Sequence, residues 1–181
     1  MAPAFALLPS LVWAQVRPKL LPDRDVDITY RVTDRSDKPL QERVRWLAAS
    51  RLQRIDGPGR RAVLADRTTD YITIVTPNTK SFIKIREPAG GLFRLDEGGA
   101  FTKDGGSTIA HLPCTNWGWT DPNTGNARSV CATEDGVMLR VTEGDRTLIE
   151  AISVQYHQLK PAIFELPRGY SPTLIPDSSG E

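Results

Sequence analysis

Histidine is nearly missing from this chain, with two among 181 residues, so the usual carrier of acid–base chemistry near neutral pH is scarce. No Gly-x-Ser-x-Gly elbow and no phosphate-cradling glycine loop occurs anywhere. Neither sign of charge prevails: 23 basic residues stand against 22 acidic ones, for a net charge of +1. That balance argues against nucleic acid or an anionic membrane as the main partner. Repeats are missing too, and the only low-complexity stretch is the polar tail Asp177-Ser178-Ser179-Gly180-Glu181. The chain reads as one domain and as a non-enzyme, without cofactor or metal.

Cysteine is as rare as histidine, and its placement is the most informative feature present. Cys114 and Cys131 flank two candidate strands joined by a turn at Asp121-Pro122-Asn123-Thr124-Gly125. Pairing Thr120 with Gly125 sets the cysteines directly opposite each other, at a Cα separation of about 4.5–5.5 Å, within disulfide range. Closing that loop is worth about 3 kcal/mol by chain entropy. Two unpaired buried thiols are the alternative. His111, Cys114, Cys131 and His157 have zinc-like chemistry, but a partner for each cysteine is already at hand in the other.

The N-terminus points to an oxidising compartment independently. Residues 1–14 carry an apolar stretch of signal-peptide length ending in Val12-Trp13-Ala14, with small residues where a signal peptidase reads. It is too short to span a bilayer. No Lys or Arg precedes Arg17, so the leader reads as truncated at its start. The expectation is export to the periplasm, with a mature chain from Gln15. The organisation that follows is a signal-peptide remnant over 1–14, a lead-in over 15–22, a domain over 23–170 and a flexible tail over 171–181.

Period two dominates the domain. Val26, Ile28, Tyr30 and Val32 alternate with polar residues, as do Val44 and Trp46 with Arg43 and Arg45. Turn signals at Gly57-Pro58-Gly59, Pro77-Asn78-Thr79 and Glu143-Gly144-Asp145 mark hairpins. The pattern predicts a mainly β fold: a single curved antiparallel sheet of about ten strands, forming an incomplete half barrel. One or two short helices are expected, around Leu92 to Leu95 and as a turn within Lys160 to Leu166 that places Phe164.

Several residues resemble a known group. They are Leu112-Pro113-Cys114 with Trp117, the run Val130-Cys131 to Leu139-Arg140, and the ending Phe164-Glu165-Leu166-Pro167-Arg168-Gly169-Tyr170. So do Ala65-Asp66-Arg67, Ile72-Thr73-Ile74-Val75 and the return Lys80-Ser81-Phe82. This chain resembles secreted bacterial proteins of unknown function related to the periplasmic lipoprotein carrier and the outer-membrane lipoprotein receptor (the LolA/LolB-like fold). The resemblance implies an incomplete barrel curved around a hydrophobic cavity. No working residue of the carriers can be matched here.

Other candidates have plainer readings beside the functional one. Asp135-Gly136 is first a turn and only secondarily a catalytic carboxylate. Asp23, Asp25 and Asp27 share a strand face that is either solvated or a cation site. The run Asp121 to Asn126 has its glycine one place early for a calcium loop. Arg51, Arg54, Arg60 and Arg61 surround one turn, as a soluble tip or a dock for an acidic partner. Trp117 and Trp119 cap the core or line a cleft.

The leading expectation is a periplasmic non-enzymatic carrier or binding protein for a hydrophobic ligand, a lipid or acylated chain. Val26, Ile28, Tyr30, Val44, Trp46, Ile72 and Ile74 would line its cavity. The alternative is an interaction module whose core is filled by its own side chains and which docks a partner protein. A hydrolase is the third reading. A deep apolar pocket favours the first and a filled core the second.

Overall fold

The computed structural model describes residues 17–33, 36, 38–87, 100–120 and 125–173. Among the described residues twelve strands form one sheet: β1 (Val26–Thr33), β2 (Pro39–Leu47), β3 (Leu52–Asp56), β4 (Ala62–Asp66), β5 (Tyr71–Thr76), β6 (Ser81–Arg86), β7 (Thr102–Ile109), β8 (Leu112–Thr120), β9 (Ala127–Ala132), β10 (Met138–Glu143), β11 (Arg146–Tyr156) and β12 (Ser171–Pro172). Their order across the sheet is β12-β6-β5-β4-β3-β2-β1-β11-β10-β9-β8-β7. The sheet is open and curved, and the only helical pieces among the described residues are short 3-10 turns. The expected half barrel is the fold.

Register assigns the faces. Ile28, Val44, Ile55, Val63, Ile74 and Ile83 stand in one cross-strand row from β1 to β6. Val26, Trp46, Gln53, Ala65, Ile72 and Ile85 form the next. Tyr30 sits beside them on β1, opposite Glu42. All seven residues predicted to line a cavity therefore share this inner face. The outer face carries an alternating charge ladder. Asp27 takes two hydrogen bonds from Arg43 at 2.8 and 2.6 Å, Asp56 takes Arg45 and Arg54, and Arg140 meets Glu150 at 2.7 Å. Apolar-in, polar-out alternation is how an antiparallel sheet meets water on one side only.

The sheet bends unevenly. Register shifts occur in the pairs β1–β11, β10–β11, β9–β10 and β7–β8. The pairs from β1–β2 through β5–β6 run without one. A bulge increases local twist and bends its strand. The bulged part curls until β7 touches β11 across the concavity. Inside the curl lies the main core, where Val26, Val130, Val137, Leu139, Val141 and Ile149 are 0% exposed. The Tyr30 hydroxyl, buried there, donates to the Met138 carbonyl at 2.7 Å. A second, small cluster of Leu47, Leu159 and Phe164 forms where the segment after β11 crosses back.

Sequence and structure differ at definite points. The cysteine hairpin pairs Thr120 with Ala127 rather than Gly125, so Cys131 stands opposite Asn116. Cys114 and Cys131 are bonded diagonally, with Cα atoms 5.4 Å apart. The connection is two residues longer than the expected one, which moves the pairing and leaves the two cysteines at diagonal positions. β7 is longer than expected because its exposed residues and its Gly105-Gly106 bulge leave no alternation to read. Ser171 and Pro172, expected in a flexible tail, pair as β12 parallel to β6. The helical turn expected within Lys160 to Leu166 is present as the 3-10 turn Pro161–Phe164, and it places Phe164 at 6% exposure. The leader at 1–14 and the short helix around Leu92 to Leu95 lie outside the described residues, as do 121–124.

Candidate binding face

The inner face divides at β3. Toward the curl, Val26, Ile28, Tyr30, Val44 and Trp46 are between 0 and 4% exposed. They are packed by their own neighbours in the core, which corrects the expectation of an open cavity at Val26, Ile28, Tyr30 and Val44, while Trp46 borders a cleft of about 430 Å³ together with Leu21, Pro22, Ala48 and Arg51. Trp46 is fixed further by its indole N–H, which donates to the Pro22 carbonyl at 2.8 Å. Toward the open end, Ile72 and Ile74 are only half-buried, as are Ile55, Val63, Ile83 and Ile85 around them. These β-branched side chains suit a pleated surface, and they form a continuous apolar floor on β3–β6.

Polar groups bound that floor at both ends. At the Gln53 end, Arg67 donates through Nε to the Gln53 side-chain oxygen at 2.8 Å and pairs with Glu87. The two ionic side chains are 7% and 12% exposed, so the pair is buried, and breaking it by removing one partner is costly. At the other end stands Glu42. Its Oε1 lies 3.6 Å from where a Cβ on Gly57 would sit. No hydrogen bond or ion pair reaches it among the described residues. Burial pushes its carboxyl above the ordinary glutamate value.

A cleft of about 550 Å³ on another side is bordered by Lys19, Arg24, Glu134, Asp135 and Tyr156. Here Asp135 accepts from the Thr133 hydroxyl at 2.6 Å, from Arg24 Nε at 2.9 Å and from the Tyr156 hydroxyl at 3.2 Å. Burial alone would raise its carboxyl, but the hydrogen bonds from Thr133, Arg24 and Tyr156 outweigh it and hold the pKa below the ordinary value. Arg24 also stacks on the Tyr156 ring at 3.7 Å. Thr133, Arg24 and Tyr156 all converge on Asp135, whose backbone carbonyl also accepts the Asp23 N–H at 3.0 Å, so this cluster clasps the chain where the lead-in meets the sheet. Gly136 shows the same, since a Cβ there would collide with the Leu21 carbonyl.

The remaining sequence candidates are dispersed. Asp23 pairs with Lys19, Asp25 accepts the backbone N–H groups of Ala48 and Leu159 at 2.9 and 3.0 Å, and Asp27 holds Arg43. Arg54 is committed to Asp56 and to the Ile163 carbonyl. Trp117 and Trp119 are 8% and 6% exposed within the core. Glu42 went unnoticed in the sequence because it occupies an apolar position in an otherwise ordinary alternation. Its signal was the parity: it shares phase with Val44 and Trp46.

The sheet order, the one-sided core and the open end define a half-barrel fold. Solved structures share it. A conserved uncharacterised protein from Thermus thermophilus superposes with a TM-score of 0.60 at 12% identity, over 83% of this chain and 90% of that one. MucB superposes with a TM-score of 0.57 at 11% identity, over 81% of this chain and 59% of MucB. MucB in complex with MucA(peri) gives 0.53 at 12% identity, over 80% and 54%. The chain thus spans little more than half of MucB. At such identities the likeness shows the fold alone. No family model and no curated protein sequence matches the chain.

Proposed function

We propose that this chain is a non-enzymatic binding protein of the periplasm, and that it holds a segment of a partner protein on the inner face of β3–β6. One observation carries the reading: a single apolar face is filled by its own side chains inside the curl and left half-covered beyond it. Apolar surface of that kind gains by being taken from water. The intrachain disulfide fits an oxidising compartment, as does the signal-like N-terminus. A structural neighbour, MucB, has been solved in complex with MucA(peri), so the fold accommodates a protein partner elsewhere. A lipid or acyl chain is the second reading, favoured by the isoleucine floor.

Photocrosslinking separates the two. A photoreactive amino acid placed at position 74 and activated in cells should yield a protein-sized adduct. The same residue at Thr29, on the outer face, serves as control. A lipid-sized adduct at position 74, or stoichiometric uptake of a fluorescent fatty acid by the purified chain, would transfer the conclusion to the carrier reading.

A further inference from the structure

Glu42 is an anomaly in electrostatic terms. A carboxylate on a mostly apolar face gives up part of its hydration, and folded proteins ordinarily return it as a hydrogen bond or an ion pair. Here nothing among the described residues does so. Its row neighbour on β1 is Tyr30, whose hydroxyl is committed to Met138. Across the row lies Gly57, whose amide donates to the Arg61 carbonyl at 3.1 Å. Arg61, the cation nearest along that row, is exposed and pairs with no acidic group among the described residues. The row of Ile55, Val63, Ile74 and Ile83 begins alongside.

We infer that Glu42 is the polar recognition point of the binding face, and that its partner is a basic amphipathic segment: apolar side chains on the isoleucine floor with a lysine or arginine reaching Glu42. This rests on the binding reading above and names the chemistry of the occupant. Charge complementarity selects the occupant. An acidic segment would bring like charges together in a partly desolvated site, and a neutral one would leave the carboxylate uncompensated. A bidentate guanidinium or an ammonium would restore what burial removes.

The test uses the full chain and its Glu42→Gln variant, which keeps the size and polarity of the side chain. The probes are two labelled peptides, one alternating leucine with lysine, the other leucine with glutamate. Fluorescence anisotropy should show the wild type preferring the lysine peptide by about tenfold, the order expected of a charge-assisted contact. Glu42→Gln should abolish that preference while retaining a cooperative thermal transition. Equal binding of the lysine peptide by both proteins, or its failure to bind the wild type, overturns the inference. A cellular arm separates this failure from that of the binding reading. A protein adduct at position 74 that weakens with Glu42→Gln supports the inference. An adduct of unchanged yield overturns it and leaves the binding reading standing. No protein adduct in either background removes both.

Discussion

The curled and open parts of this sheet have the same kind of inner-face residues and different fates. In β1, β2 and β8–β11 the inward side chains meet one another across a bend. In β5 and β6 the inward isoleucines remain half-buried. Alternation in the sequence marks β1 and β2 in the curl as it marks Ile72 and Ile74 in β5, so it does not distinguish a core from a binding face. The bulges do, because they close one end of the sheet on itself. What the comparison teaches is that a half barrel divides stability and recognition between its two ends.

Truncations should expose that division most visibly. Leu139→Ala, at a position of 0% exposure in the curl, should cost about 3–5 kcal/mol in urea unfolding. Ile74→Ala, on the half-buried floor, should cost only about 1 kcal/mol, since water already reaches the site. Equal losses at the two positions would mean that the open end is packed like the curl. Next in size is the disulfide: Cys114→Ser, opening a bridge of sequence separation 17, should lower stability by about 3 kcal/mol. Gly136→Ala follows, at about 2 kcal/mol. It combines a φ of +96° with a clash against the Leu21 carbonyl, and hydrogen exchange should show the lead-in released from the curl.

The smallest effects are in pH, and the two carboxylates should act with opposite sign. Asp135 has a lowered pKa in the fold, so its contribution is complete above the ordinary value of 3.8 and is lost as pH falls below it toward the folded value. Asp135→Asn should remove that acid-side slope. Glu42 has a raised pKa, so it binds its proton more tightly folded than unfolded. Its ionisation therefore costs stability as pH climbs above 4.5 through the folded value. Glu42→Gln should stabilise the chain at neutral pH and change nothing below about pH 4, where glutamate is protonated in both states. Chemical denaturation at a series of pH values checks both.

Much of this was legible beforehand because strand alternation is a local property. Val26 to Val32 announced β1, and the glycine and proline turns announced the hairpins on either side of β4 and β5. The inner-face membership of Ile72 and Ile74 followed from parity alone. What could not be read was curvature. Whether Ile28 faces a ligand or its own core depends on bulges that appear only when distant strands pair. The cysteine hairpin missed its register by two residues for a related reason, since a diagonal bridge and a facing bridge satisfy the same spacing. Glu42 was hidden because its meaning lies in the company that β3 and Gly57 provide.

The neighbour of β1 in the sheet is β11, with Val26 set against Tyr156. That single pairing imposes an order of events on a chain made from its N-terminus. The strands β2 to β5 join their successors through short connections and need little search to meet. β1, ahead of all the other strands in the chain, waits with one edge unsatisfied until nearly the last strand arrives, and loops that long close slowly. Until then the curl has no centre. The half of the molecule that is most stable when finished is the half that the growing chain completes last.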